Sequence, residues 1–254
     1  MSDTRRGYDR VAERYAVEIG DELRGKPLDR ALLDALAELA AGAATPSSAT
    51  APSSATAPSG VAAPSDVAAP SSAAAPSGAA MTGAPVLLDV GCGPGHATAH
   101  LAGRHCAAFG LDLSPAMCAV AHRRTALLFG AADMTALPIR SGSVAGLACL
   151  YAVIHLDAGQ RAAAYREFAR VLRPGGYALV AFHTSDAEVP AGGARTLTDW
   201  WGHEVRLDFR FLEPAAEAEA LVRAGFELAA RLDRGPYPGV EHSSERTYLL
   251  ARRH

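Results

Sequence analysis

From residue 85 onward, short aliphatic runs alternate with segments whose apolar residues recur at three- and four-residue spacing, and this alternation constrains the fold more than any other feature. "PVLLDVG" gives way to a helix from Pro94, and "AAFGLDL" to a helix opened by Ser114 as N-cap with Pro115 in the first turn. "ALLFGAA", "VAGLACLY", the helix "AGQRAAAYREFARVL" and the strand "YALVAFH" follow. Strands joined through helices run parallel and need both faces covered, so the expectation is an α/β doubly wound sheet of about seven strands. The end departs from the pattern: after the helix "PAAEAEALVRAG", "FELAARLD" and "RTYLLARR" follow without a helix between them. Those two strands are expected to be antiparallel, the last one against an otherwise mostly parallel sheet.

Ahead of this core, "YDRVAERYAVEIGDEL" and "PLDRALLDALAELA" read as two amphipathic helices, the second with a stripe of Leu28, Leu32, Leu33, Leu36 and Leu39. Between them and the first strand, a proline followed by serine recurs every six residues from Pro46 to Pro76. This tract holds one charge, Asp66, and no aromatic or long aliphatic side chain, so the expectation is disorder. The chain divides accordingly into an N-terminal helical lid (1–42), a repeat insertion (43–84) and a core (85–254).

Composition removes several functions. With 24 Lys and Arg against 27 Asp and Glu in 254 residues, the chain offers no general field for nucleic acid or an anionic membrane. Lys26 is the lone lysine, which leaves a Walker-type phosphate loop without its Gly-Lys-Ser/Thr. The four cysteines, Cys92, Cys106, Cys118 and Cys149, show no CxxC spacing and read as reduced thiols of a cytoplasmic protein. No apolar run approaches a membrane span, and the first ten residues hold no signal-peptide core. His96 and His100 have helical i, i+4 spacing, but without a glutamate between them or a third ligand they read as ordinary surface or interface histidines rather than a metal site.

The site is expected at "DVGCGPG", where the first strand ends. Ligands of open parallel sheets sit beyond the carboxyl ends of the strands at the point where strand order reverses. The dinucleotide pattern G-x-G-x-x-G/A, started at Gly91, requires Gly or Ala at position 96, which is His96, so a pyrophosphate is disfavoured.

Four motifs in order, "VLLDVGCGPG", "GLDLSPAM", "AADMTALP" and "LRPGGYALVAFH", resemble those of the class I S-adenosylmethionine-dependent methyltransferases, over residues 8–40 and 85–252. The repeat is the departure. The resemblance implies a Rossmann-like fold with S-adenosylmethionine as cofactor. Gly91, Gly93 and Gly95 would give the methionyl end room. Asp89 would face the cofactor's ammonium, or else only hold loop amides. Asp112, followed by Leu113, would accept from the ribose hydroxyls, a task suited to a carboxylate with no hydrogen of its own. Asp133 and Met134 would contact adenine, with Met134 as plain core filler the other reading.

Methyl transfer from a sulfonium needs chiefly position, and a base where the acceptor must lose a proton. "LYAVIHLD" places Tyr151 and His155 beyond the fourth strand as candidate catalytic residues, with His183 next. Tyr8 and Tyr15, seven residues apart, resemble the family's "YDxxAxxY" helix over the cleft. Trp200 and Trp201 in "TDWWGHEVRLDFRFLEP" form a candidate acceptor-selecting wall, and Tyr237 in "PYPGVEH" lines the same mouth. The reading is a methyltransferase acting on a small molecule. Its rivals are a non-catalytic S-adenosylmethionine-binding protein and, disfavoured by His96 and the lack of a Tyr-x-x-x-Lys pair, a nicotinamide-dependent reductase.

Overall fold

The computed structural model describes residues 2–42, 84–104 and 106–254. The expectation of disorder in the repeat falls outside the described residues. Two helices, α1 (Asp3–Ile19) and α2 (Pro27–Gly42), flank a 3₁₀ turn at Glu22–Gly25. Then come β1 (Val86–Val90), α3 (His96–Ala102), β2 (Ala107–Asp112), α4 (Pro115–Thr125), β3 (Leu128–Ala131) and β4 (Val144–Leu150). A 3₁₀ turn (Val153–His155), α5 (Ala158–Val171), β5 (Leu172–Asp186), β6 (Ala194–Trp200) and β7 (His203–Arg210) follow, and α6 (Pro214–Arg223), β8 (Phe226–Arg234) and β9 (Ser244–Arg253) complete the chain.

The seven-stranded sheet has the order β3-β2-β1-β4-β5-β9-β8. β9 is antiparallel to both β5 and β8, and every other pairing in that sheet is parallel. Strand order reverses between β1 and β4, so the carboxyl ends of these two strands open the crevice that such sheets use for ligands.

Side chains alternate across β1. Leu87 enters the core under α2 and α3, with Leu33, Leu36 and Leu101, while Leu88 enters the opposite core under α5, with Tyr165 and Phe168. The buried stripe of α2 is Leu33, Leu36, Ala37 and Ala40, and Leu28 is exposed. The small alanines explain the shift from the expected all-leucine stripe: Ala40 Cβ lies 3.2 Å from where a side chain on Gly146 would begin, so helix and sheet meet closely there.

The Ser114 cap behaves as read, and the structure adds a second cap that the sequence reading did not name. Ser114 caps α4, its hydroxyl oxygen accepting from the Met117 amide at 3.1 Å with Pro115 following, and Asp157 with Gln160 forms a capping box on α5. α3 begins at His96 rather than Pro94, because Gly95 takes a left-handed φ of 84°. The segment with the paired tryptophans is a β-hairpin, β6–β7, which the sequence reading did not anticipate. Its two-residue turn, Trp201 and Gly202, has φ of 54° and 81°, the pattern of a type I′ turn. Val205 and Leu207 on β7 pack with Val11 of α1, setting the hairpin against the N-terminal helix.

Candidate active site

The loop after β1 is built by backbone geometry. The amides of Gly91 and Cys92 both donate to the Leu111 carbonyl, at 2.7 and 3.2 Å, which ties the loop to the end of β2. Gly91 and Gly95 are left-handed, and each also lacks room for a side chain: a Cβ on Gly91 would overlap that of Ala152, and one on Gly95 would sit 2.8 Å from Phe129. The carboxylate of Asp112 accepts from the Gly93 amide at 2.9 Å and the Ser114 amide at 2.8 Å. Burial raises its pKa against the pull of those amides. Asp89 is buried beneath the loop, accepts from the Thr98 hydroxyl at 2.6 Å, and is pushed up to about 6 by burial. Asp133, at the far side, accepts from the Thr135 amide and hydroxyl at 2.8 and 2.7 Å.

A cleft of about 210 Å³ extends from this loop to the N-terminal helix. Tyr8 and Tyr15 on α1 cover it, with their rings edge to face at 5.9 Å. His155 comes from the opposite side, on the turn after β4. Its Nδ1 lies 2.8 Å from the Asp208 carbonyl oxygen and its Nε2 lies 2.7 Å from the Tyr8 hydroxyl. Burial holds this imidazole down at about 4, so it is neutral at physiological pH.

The inner end of the cleft is ionic. Lys26, 3% exposed, sits 2.9 Å from Glu22 and 3.1 Å from Glu241, the latter on the β8–β9 connection. Arg234 pairs with Asp29 at 2.8 Å and with Glu241, and Arg246 lies 3.2 Å from Glu241. Three cations thus meet three carboxylates, the condition under which such groups stay charged when desolvated. Burial raises Glu22 against the pull of Lys26. His96 also lines this end. Burial and then Lys26 lower it to about 4, and its Nδ1 is buried without a hydrogen-bond partner.

A protein-family model described as "Methyltransferase domain" matches residues 87–176, from the glycine loop to the start of β5. Among solved structures, an S-adenosylmethionine-dependent methyltransferase from Methanosarcina mazei superposes with a TM-score of 0.61 at 15% identity, covering 67% of this chain and 92% of that one. An S-adenosylmethionine-dependent methyltransferase from Mesorhizobium loti gives 0.54 at 19%, covering 66% and 91%. The 1,6-didemethyltoxoflavin-N1-methyltransferase of Burkholderia thailandensis, solved with 1,6-didemethyltoxoflavin and S-adenosylhomocysteine, gives 0.51 at 25%, covering 68% and 73%. Residues 87–176 thus match a methyltransferase domain, and the fold around them is the one these methyltransferase structures have. No curated protein sequence matches it.

Of the residues singled out in the sequence, Asp89, Gly91, Gly93, Asp112, Leu113, Asp133, Met134, Tyr8, Tyr15, Tyr151 and His155 line this cleft. Five others do not. Gly95 is turned away beneath Phe129 and serves the packing of loop on strand. Trp200 lies behind the tyrosines, 6.0 Å from Tyr8 and 5.5 Å from Tyr15 between ring centres, and Trp201 stacks on Trp200 and is 37% exposed. They back the cleft's wall rather than form it, because the hairpin turn carries them past α1. His183 stacks on Tyr151 at 4.9 Å and shares a 2.9 Å hydrogen bond with Ser244, away from the cleft's lining. Tyr237 lies under the Arg234 guanidinium at 4.3 Å, on the outer side of the ionic cluster.

Tyr151 lines the cleft, but its hydroxyl is held by Tyr248 and lies 3.3 Å from Asp29. It holds φ of 58°, an uncommon backbone for a bulky residue, where the chain leaves β4. The two helix-face histidines diverge. His100 pairs with Asp34 at 2.6 Å, whereas His96, expected to be an ordinary surface or interface residue, faces the cleft. Among the described residues no group of three or more His, Cys, Asp or Glu is arranged to hold a metal. Glu22, Lys26 and His96 are lining residues that sequence reasoning did not assign to the site, and the lone lysine was the one available signal.

Proposed function

We propose that this protein is an S-adenosylmethionine-dependent methyltransferase that moves a methyl group to a small-molecule acceptor by in-line displacement. The observation that carries the reading is the continuity of the cleft, from the Gly93–Asp112 contact at one end to the Tyr8 and His155 side chains at the other. It supports a cofactor and an acceptor held end to end within one continuous cleft, where proximity supplies most of the acceleration. The naming of a small heterocycle as the molecule bound to the Burkholderia relative is in keeping with this acceptor class.

When bound, the cofactor supplies an electrophilic methyl group on a sulfonium whose departure leaves a neutral thioether. This chain's residues do the rest. Asp112 is offered as the ribose acceptor, Asp133 and Met134 as the adenine contacts, and the amides and small residues at Gly91 and Gly93 as the bed of the methionyl chain. The orphaned Nδ1 of His96, beside Lys26 and Glu22, fits a zwitterion: a carboxylate would pair with the Lys26 ammonium, and an ammonium with the glutamate and the imidazole nitrogen. Four free, buried cysteines support a reducing, cytoplasmic setting, and no helix among the described residues is long and apolar enough to cross a membrane.

Calorimetry tests the cofactor end. Asp112→Ala should weaken S-adenosylmethionine by roughly 2 kcal/mol, the cost of removing a charged acceptor from a desolvated site. An unchanged dissociation constant in a folded variant would remove Asp112 from the site. Release of S-adenosylhomocysteine in an acceptor screen of small hydroxyl and amine compounds separates turnover from mere binding.

A further inference from the structure

Tyr8 enters the cleft from α1 and His155 from the turn after β4, and their meeting fixes where the hydrogens lie. His155 Nδ1, 2.8 Å from a carbonyl oxygen, must carry the imidazole hydrogen, because that oxygen can only accept. Nε2 is then a lone pair, and the Tyr8 hydroxyl 2.7 Å away must donate to it. A phenol whose hydrogen is committed to imidazole turns only lone pairs toward the cleft. Whatever occupies that side has to bring a hydrogen of its own.

We propose that Tyr8, backed by His155 and the Asp208 carbonyl, is the proton acceptor of the reaction, and that the methyl acceptor is therefore a neutral molecule presenting an O–H or N–H to Tyr8 Oη. The proposal rests on the cofactor reading above. As the acceptor atom uses its own electron pair to bond the methyl group, its hydrogen passes to Tyr8 Oη, and Tyr8's hydrogen passes to His155 Nε2. The electron pair of the broken S–C bond stays on sulfur. One positive charge moves from sulfonium to imidazolium and none is created.

The surroundings suit this relay. Burial keeps His155 neutral down to about pH 4, so its lone pair is available throughout the physiological range. Burial, followed by the charges of Tyr15 and Asp112, raises Tyr8 well above the ordinary phenol, so it passes a proton on rather than resting as phenolate. Phe209 lies edge-on to His155 at 4.8 Å, and Trp200 and Tyr15 lie edge-on to Tyr8, so neither ring is free to turn away. His155 cannot take the acceptor's proton directly while Tyr8 occupies Nε2. A carbon nucleophile, a thioether or a tertiary amine presents no hydrogen to the Tyr8 oxygen, and each falls outside the class.

Sinefungin tests the geometry without a known acceptor, since it carries an ammonium-bearing carbon where the cofactor carries its methyl-bearing sulfur. Its affinity is compared with that of S-adenosylhomocysteine, which has nothing at that place. Tyr8→Phe should lower the sinefungin-to-S-adenosylhomocysteine affinity ratio at least about fivefold, and the ratio cancels any loss common to both ligands. Nitrogen-15 spectra of the wild-type protein should show His155 neutral with its hydrogen on Nδ1, and Tyr8→Phe should move the Nε2 resonance. A ratio unchanged by Tyr8→Phe, or a His155 hydrogen found on Nε2, overturns the proposal while the cofactor reading stands. Failure of both ligands to bind the wild-type protein overturns the cofactor reading itself.

Discussion

Lys26 sits at the ionic end of the cleft, and its chemistry explains why a chain that otherwise uses arginine keeps one lysine here. An ammonium is compact and can place separate hydrogens on Glu22 and Glu241 in a space where a planar guanidinium would need a wider fork. We predict that Lys26→Met weakens S-adenosylhomocysteine about tenfold while leaving 5′-methylthioadenosine, which lacks the amino-acid end, within about twofold. The pair of ligands separates lost recognition from general damage, because removing one member of a buried ionic cluster also strands its partners. Equal losses for both ligands would show that Lys26 only holds the fold. Gly91, Gly93, Asp112 and the tyrosine spacing were legible in the sequence because each lies in a short local motif. Lys26, Glu22 and His96 were not, since their convergence is set by how the turn after α1 docks on the start of α3, a long-range contact without a local pattern.

Among the elements, the β6–β7 hairpin shows the same division. Its alternation of Val205, Leu207 and Phe209 was present in the sequence, but two adjacent tryptophans at the turn and the missing crossover helix made it read as a wall segment rather than a strand pair. Parallel strands and their helices were legible because each side-chain period reports a buried face, whereas this hairpin lies outside the main sheet and buries its face against α1 and the turn after β4. Leu207 is fully buried and would lie 2.8 Å from any side chain placed on Gly7. Leu207→Ala should cost about 2–5 kcal/mol at that interface, the usual range for such a truncation. The loss should be local, because Val11, Val205 and Leu207 form a cluster separate from the two cores that sandwich the sheet. Hydrogen exchange should show faster opening of residues 194–210 and of α1, with the amides of β1 and β4 still protected. Uniform loss of protection across the sheet would mean that the hairpin is part of the global folding unit.

At the scale of the whole molecule, the sheet separates two jobs. Its carboxyl-terminal edge carries the cleft, and the connection from α2 to β1 enters at the opposite edge, where Val86 begins the first strand. The two ends of that connection are neighbours. Ala40 lies over Gly146, Gly146 pairs with Leu87 in the sheet, and the Ala40 carbonyl accepts from Arg173 at 2.6 Å just ahead of β5's main run. Deleting residues 46–81 would leave residues 43–45 and 82–83 to join Gly42 to Ala84, and an extended residue reaches roughly 3.3–3.6 Å, enough for neighbours a layer apart. Loop closure depends only logarithmically on length, about 0.6 kcal/mol per doubling, so removing the repeat should stabilise slightly or not at all. We predict a thermal midpoint within about 3 °C of the full chain and an unchanged S-adenosylhomocysteine dissociation constant. A lower midpoint with weaker binding would instead require the repeat to pack on the domain, and limited proteolysis of the full chain would then leave residues 46–81 uncut while bound ligand is present.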